Sequence, residues 1–510
     1  MTPLKSRLLA ILAAFVFAGS LAACGAPSGG GADGDGRGRL SVGAAAIPSS
    51  LDPRKSAPYE AQWIGMLYDT LVQRAPDGTF KPALAEGWTL SPDSRELDLT
   101  LRSGVKFQDG APFDAAAVKA NIDAAKGGGT NFSAQLTSVA AVEAVDERHV
   151  RFRLSEAAAP MLGVLAGEAG MIISPARLGD DLSRSGAGAG PFTLDKFEGP
   201  RLEFTAWKGY WKADAVKIAG VDIDVFIDDS ARLRALRSRQ LDTAFIIPSQ
   251  VREVESSGLK VARPPIAESF WGVLVNTGRR ELANPKVRQA MMLALDRAAL
   301  ARNVFGDAGC TPSVQPFDPK DWAFSSELNA LPAAQHDPAR AMQLLAEAGV
   351  ANGFSLELQV GTAQNYTQIG QILQSQWGEI GIKVGLRPME NVQFVTARRK
   401  GDFDATVSVY LNARPDQSTV VQNFLLPGGI FNPGRYDVPG TAELLRTSST
   451  SSDPAVRGPA MHELMTNVIN QGPPLLPICT APRLAAYRIN VANLDMSLDT
   501  KFTDVSVNPT

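Results

Sequence analysis

The sequence predicts a mixed α/β fold divided into more than one domain, working outside the cytoplasm. Three observations carry this. Short runs of period-two alternation recur between helical stretches that bring their own capping residues. The 510 residues, 45% hydrophobic and 20% charged, suffice for two or three cores at roughly 100–200 residues each. The chain opens with the signature of an export signal.

That signature comes first in chain order. Lys5 and Arg7 form a basic n-region, and 8–18 is an unbroken apolar run, too short to cross about 30 Å of hydrocarbon. Leu21-Ala22-Ala23-Cys24 resembles the lipobox of bacterial lipoproteins, which implies that 1–23 is a signal peptide and that Cys24 carries lipid. A Gly-rich stretch, 24–38, reads as a flexible tether. The expected location is therefore extracytoplasmic, with the lipid anchored in the cell membrane, in a periplasm or on the outer face of the cell. Cys310 and Cys479 then remain, an even number in an oxidising compartment. A disulfide is allowed, two separate buried thiols stay open, and their spacing has no metal-ligand pattern.

The body follows. Leu97-Asp98-Leu99-Thr100-Leu101, Val150-Arg151-Phe152-Arg153-Leu154 and Val221-Asp222-Ile223-Asp224-Val225 alternate as half-buried strands do. Asn284-Pro285 opens a helix, with Val287, Ala290, Met291, Ala294, Leu295 and Ala298 on one face. Asp337-Pro338 opens another, with Ala341, Leu344, Leu345 and Ala348 inside and Gly349 closing it. Strands return at 356–360, 382–386 and 403–410.

Catalytic chemistry is not found. A net charge of −3 excludes a broadly basic nucleic-acid binder. His149, His336 and His462 read as surface or capping residues, and His462-Glu463 lacks the second histidine of a zinc-protease helix, Thr466 standing there. There is neither a G-x-S-x-G elbow nor a phosphate loop, and Gly186-Ala187-Gly188-Ala189-Gly190 reads as a turn. Asp180-Asp181 and Asp228-Asp229 read as solvated loop charges. No catalytic residue, metal site or cofactor is expected.

Pro82-Ala83-Leu84-Ala85-Glu86-Gly87-Trp88, Arg102-Ser103-Gly104-Val105-Lys106-Phe107, Asp109-Gly110 and Pro112-Phe113 together resemble the signature of family 5 solute-binding proteins, the extracellular receptors of peptide and nickel ABC importers. The resemblance continues at Gly188-Ala189-Gly190-Pro191-Phe192, at Asn284 with Val287-Arg288-Gln289-Ala290, at Asp296-Arg297, and at Gly401-Asp402-Phe403-Asp404. It implies a two-lobed periplasmic-binding-protein-like fold, type II, of the large three-domain variety. Lobe I would be 39–62, 188–270 and 479–510, an inserted small domain 63–187, and lobe II 271–478. It also implies a monomer that takes a peptide or peptide-like solute between the lobes and hands it to ABC permease and ATPase subunits.

The pocket departs from the peptide-binding pattern. Relatives carry Trp-x-x-Asp after the Gly-Asp-Phe-Asp strand, the Asp pairing with a peptide ammonium; here the run is Tyr410-Leu411-Asn412-Ala413. A methyl group cannot neutralise a buried ammonium. The stretch Tyr366-Thr367-Gln368 likewise lacks the arginine some dipeptide receptors use, and three histidines support nickel poorly. Expected lining residues are Tyr59 and Glu60 in the loop after Asp52-Pro53, Phe270 and Trp271 at the crossover, and Tyr410, Asn412 and Arg414. An envelope hydrolase, or a receptor turned sensor or chaperone partner, are the alternatives.

Overall fold

The computed structural model describes residues 37–56, 60–75, 79–156, 160–306, 309–362, 364–411, 416–451, 453–497 and 500–508. The expected signal peptide, Cys24 and most of the tether lie outside these residues, as do Tyr59, Asn412, Ala413 and Arg414. No helix among the described residues is long and apolar enough to cross a membrane.

Alternation makes the strands. In Glu96–Leu101 the three leucines are fully buried, while Glu96 and Asp98 face outward. Their charges pair across to the neighbouring strand, Asp98 with Arg151 at 2.7 Å and Glu96 with Arg153 at 2.6 Å. The two strands sit in an antiparallel four-stranded sheet with Ala85–Leu90 and Val139–Ala144. Helix Ala115–Lys126 packs on it, started by Asp114, whose carboxylate accepts from the Ala117 N–H at 2.8 Å.

Two larger mixed sheets form the rest. The first has seven strands, in the order Lys260–Ala262, Leu484–Tyr487, Thr243–Ile246, Arg39–Ala44, Gly220–Val225, Arg201–Ala206, Phe192–Glu198. The second has six, in the order Thr311–Pro312, Leu475–Ala481, Ser269–Val275, Ala405–Leu411, Ser355–Gly361, Lys383–Met389. The chain passes between them after Ala262 and again after Ala481. The second passage comes later than the expected boundary at 478/479. Strand Leu475–Ala481 is buried along its whole length and pairs with Ser269–Val275 up to its last residue, so it stays in the second sheet. The inserted segment also begins later than expected. Trp63, Ile64, Met66, Leu67 and Tyr68 belong to the core under the seven-stranded sheet, and Leu71 is the first to join the core of the four-stranded one.

The glycine run before Pro191 is more than a turn. The Gly190 N–H donates to the Leu67 carbonyl at 3.0 Å and the Phe192 N–H to that of Met66 at 2.9 Å, so outgoing and returning chains run side by side. A Cβ at Gly190 would lie 2.4 Å from the Leu67 carbonyl carbon. Beside this junction, buried Asp69 accepts from Tyr210 Oη at 2.9 Å and Trp211 Nε1 at 2.7 Å, and pairs with Lys501.

The expected helix from Asn284 is two helices. Pro285–Leu293 is capped by Asn284, and Arg297–Phe305 by Asp296, whose side chain accepts from the Ala299 N–H. The apolar period runs on past the break because both helices bury the same side; the second cap ends the first helix. Pro338–Glu347 forms as expected from its Asp337 cap. Cys310 and Cys479 are joined in a disulfide with Cα atoms 5.6 Å apart, linking the residue before strand Thr311–Pro312 to its neighbouring strand Leu475–Ala481.

Candidate ligand-binding cleft

Register places one end of each large sheet at the crossings. Leu484 pairs with Ile246 at the carboxyl end of the parallel strands of the seven-stranded sheet. Ser269 pairs with both Leu411 and Ala481 at the carboxyl end of those in the other. In open α/β sheets ligands collect at that end of the strands.

On the six-stranded side the end is aromatic. Phe270 and Tyr410 are cross-strand partners stacked at 5.3 Å, and Tyr410 meets Phe424 and Phe431 edge-on at 4.9 and 5.4 Å. Phe270 has no exposed surface. Its ring packs flat against Tyr410. Trp271, on the opposite face, packs against Phe305 and Tyr366 at 5.4 and 4.8 Å. Burial pushes the Tyr410 hydroxyl up to about 12.

Arg398, which is not among the residues expected to line the cleft, completes this cluster. It lies on helix Asn391–Lys400, half-buried, with its guanidinium carbon 5.1, 5.4 and 5.8 Å from the ring centres of Phe431, Tyr410 and Phe394. Nη1 donates to Ser408 Oγ at 2.6 Å. Its place three residues before the Gly-Asp-Phe-Asp motif was the available signal; three rings gathered from separate elements were not readable.

On the seven-stranded side, Glu60 is buried rather than solvated. Its carboxylate accepts from the Ser49 N–H at 2.5 Å and Ser49 Oγ at 2.9 Å, clamping the loop after strand Arg39–Ala44 to the start of helix Ala61–Ile64. Trp63 from that helix lies edge-on to Phe245 at 6.2 Å, and Arg483 from the second crossing sits over the Phe245 ring at 4.6 Å.

Asn412 and Arg414 lie outside the described residues, which resume at Asp416. Asp416 and Arg457 form a buried two-pronged pair at 2.7 and 2.8 Å, and Arg457 lies 3.9 Å from the Trp322 ring centre. Burial opposes the Asp416 charge, yet Arg457 and the Ser418 hydrogen bonds hold its carboxyl below the usual range. Gln417 takes the Trp322 indole N–H at 2.7 Å and donates to Asp321. Burial raises Asp321 to about 6, against the opposing Arg74 charge. No His/Cys/Asp/Glu cluster among the described residues fits a metal. His149 pairs with Asp146, and His462 with Ser325 and Glu327.

Two mixed sheets, joined by two crossings at the ligand-collecting ends of their strands, define the class: a two-lobed periplasmic-binding-protein fold of type II. Residues 79–432 match the family model of bacterial extracellular solute-binding proteins, family 5 Middle, and the chain belongs to that family. It is a solute-binding protein and not an enzyme. It is 27% identical over 480 residues to the glutathione-binding protein GsiB of Shigella dysenteriae serotype 1 (strain Sd197), covering 89% of this chain and 91% of the relative. Its fold is similar to that of the binding protein AgaA from A. tumefaciens R10, solved with agropinic acid, with TM-score 0.81, 24% identity, and 93% and 99% of the two chains covered. The periplasmic binding protein DppA from Helicobacter pylori, solved with the peptide STSA, aligns at TM-score 0.80 and 21% identity over 92% and 98%.

Proposed function

We propose that this protein is the extracytoplasmic substrate-binding lipoprotein of an ABC importer, taking peptides or peptide-like solutes between its lobes and passing them to the permease. The observation that carries the reading is the aromatic end of the six-stranded sheet at the crossings, with Phe270 and Tyr410 on one face and Trp271 on the other. The glutathione in the name of one relative and the peptide STSA bound to one structural neighbour are both peptides, which supports the class of solute. Tyr59, Trp271, Tyr410, Asn412 and Arg414 line the cleft in this reading, and Glu60 shapes it through Ser49.

The division into lobe I, an inserted domain and lobe II follows the three sheets. It places the outgoing junction at about 68–71 and the last crossing at 482–483. Mass spectrometry of solute released from the purified protein tests the reading: a peptide or amino-acid conjugate is expected, and release of a free sugar or a bare metal ion sinks it. Cys24→Ser, followed by cell fractionation, tests the anchor. The variant leaves the membrane fraction if Cys24 carries the lipid, and unchanged partitioning rejects the assignment.

A further inference from the structure

The seven-stranded sheet has a second end, opposite the cleft. Arg39, Gly220 and Thr243 begin its parallel strands there, and Tyr487 ends an antiparallel one, paired with both Thr243 and Lys260. The chain arrives from the expected lipid site at this same end: Arg37 Nη1 donates to the Val216 carbonyl at 2.9 Å, and the Gly38 carbonyl accepts from the Ala219 N–H. Arg37 is thirteen residues beyond Cys24, a length that spans at most about 45 Å when fully extended. A lipid on Cys24 therefore keeps this end within reach of the bilayer. Ile489 projects from it, 76% exposed, in the turn 488–491 that the Val491 N–H closes on the Arg488 carbonyl at 3.0 Å. A single exposed isoleucine is ordinary, but the flanks of this one are cationic. Lys260 lies across from Tyr487, and Arg239 comes three residues before Asp242, whose carbonyl accepts from the Arg488 N–H. Arg488 and Asp242 neutralise each other at 3.1 Å, whereas the exposed Arg239 and Lys260 pair with no carboxylate among the described residues. The stretch 232–263, which builds this side of the sheet, holds seven lysines and arginines against three acids, in a chain whose net charge is −3. Farther along, Asp214 and Asp504 lie close to Lys217 and offset it, so the positive side is the one that carries Ile489.

We propose that this end of the seven-stranded sheet rests on an anionic lipid surface, with Ile489 at the depth of the headgroups and Arg239 and Lys260 against the lipid phosphates. Two cations and one apolar side chain hold a free protein weakly, but an anchored chain already lies beside the bilayer, so a weak contact is enough to orient it. The bilayer suits this surface better than the permease does, because a permease has to meet the opposite end, where solute is held. In the docked pose the cleft end of the sheet faces away from the membrane and stays open to solute, and delivery requires the receptor to leave the surface. The proposal rests on the lipoprotein reading for the place of the anchor, and the surface is tested with the anchor removed.

Sedimentation of the mature chain carrying Cys24→Ser with lipid vesicles makes the test. The vesicles are phosphatidylcholine alone, or phosphatidylcholine with about a third phosphatidylglycerol. At low salt the partition coefficient onto the anionic vesicles is expected to be at least about fivefold that onto the neutral ones, and the difference should vanish at about 0.5 M salt. Arg239→Gln combined with Lys260→Gln should lower the anionic partition about fivefold or more. Ile489→Ser should lower it about threefold. Lys106→Gln combined with Lys383→Gln removes the same charge from exposed positions elsewhere and should leave it within about twofold of the parent. Equal partition onto both kinds of vesicle overturns the proposal. So does a loss in the Lys106, Lys383 variant as large as that in the Arg239, Lys260 variant, which would make the attraction a matter of overall charge. Unchanged partition in the Arg239, Lys260 and Ile489 variants also overturns it and moves the contact to another face. Each of these failures leaves the anchor standing, since fractionation of the Cys24→Ser cells tests that separately.

Discussion

Two carboxylates a few residues from the cleft respond to burial in opposite ways. Asp416 keeps its charge because Arg457 meets it with two hydrogen bonds, whereas Asp321 has only amide donors and a more distant Arg74. Truncating Arg457 to Met leaves Asp416 buried and alone, and urea unfolding should show a loss of about 3–5 kcal/mol. The lowered Asp416 stabilises the fold above the ordinary aspartate range, and that contribution disappears as pH falls through its native value. Asp321 has the reverse sign. Its native value of about 6 exceeds the unfolded one, so the folded chain holds the extra proton and stability declines as pH rises from about 4 to 6. Asp321→Asn should remove this slope and raise stability at pH 7.5 by on the order of 2–3 kcal/mol. Urea midpoints at pH 4.5 and 7.5 measure it, and an unchanged slope in the variant would show that Asp321 is not the titrating group.

At the level of elements, covalent and steric joints hold strands that short-range propensity does not. The two-residue strand Thr311–Pro312 adds a sixth member to its sheet beside a disulfide whose cysteines are 169 residues apart. A cross-link that closes so long a loop contributes about 5 kcal/mol in the chain-entropy model. The paired Cys310→Ser, Cys479→Ser variant should therefore melt well below the parent, and reduction of the parent should reproduce the shift. Gly190 plays the steric counterpart where two chains run side by side against Leu67 and Tyr68. Gly190→Ala forces those backbones apart and should cost more than about 2 kcal/mol by denaturant unfolding, while Gly87→Ala, with open space around it, should cost far less.

Across the whole molecule, the two crossings are the natural hinges, and contacts between bodies define the form seen here. Ser94, in the four-stranded body, donates to the Thr450 carbonyl at 2.7 Å beside the six-stranded one, and Lys320 Nζ donates to the Pro265 carbonyl at 2.9 Å at the first crossing. A ligand held between lobes shifts the population toward the form with these contacts only by as much as it prefers it. Ser94→Ala removes one hydrogen bond from that form, worth about 1 kcal/mol, so ligand affinity should fall about fivefold with the melting temperature of the free protein little changed. Small-angle scattering with and without ligand should show a compaction weaker in the variant. Identical affinity in both proteins would mean that this contact does not report closure.

The sequence by itself determined the strands that alternate, the helices that begin at Asn284 and Asp337, and the family, because each is written in residues close together along the chain. It misjudged where elements end, at the split between the two helices after Asn284 and at the crossing after Ala481, because tertiary pairing sets those limits. Only the tertiary structure decided that Phe270 stacks on Tyr410, that Glu60 clamps Ser49, and that Arg398 of helix Asn391–Lys400 meets the rings of Tyr410 and Phe431 from two other segments. Burial and pairing are properties of neighbours in space, and the local pattern of the chain does not say which neighbours those are.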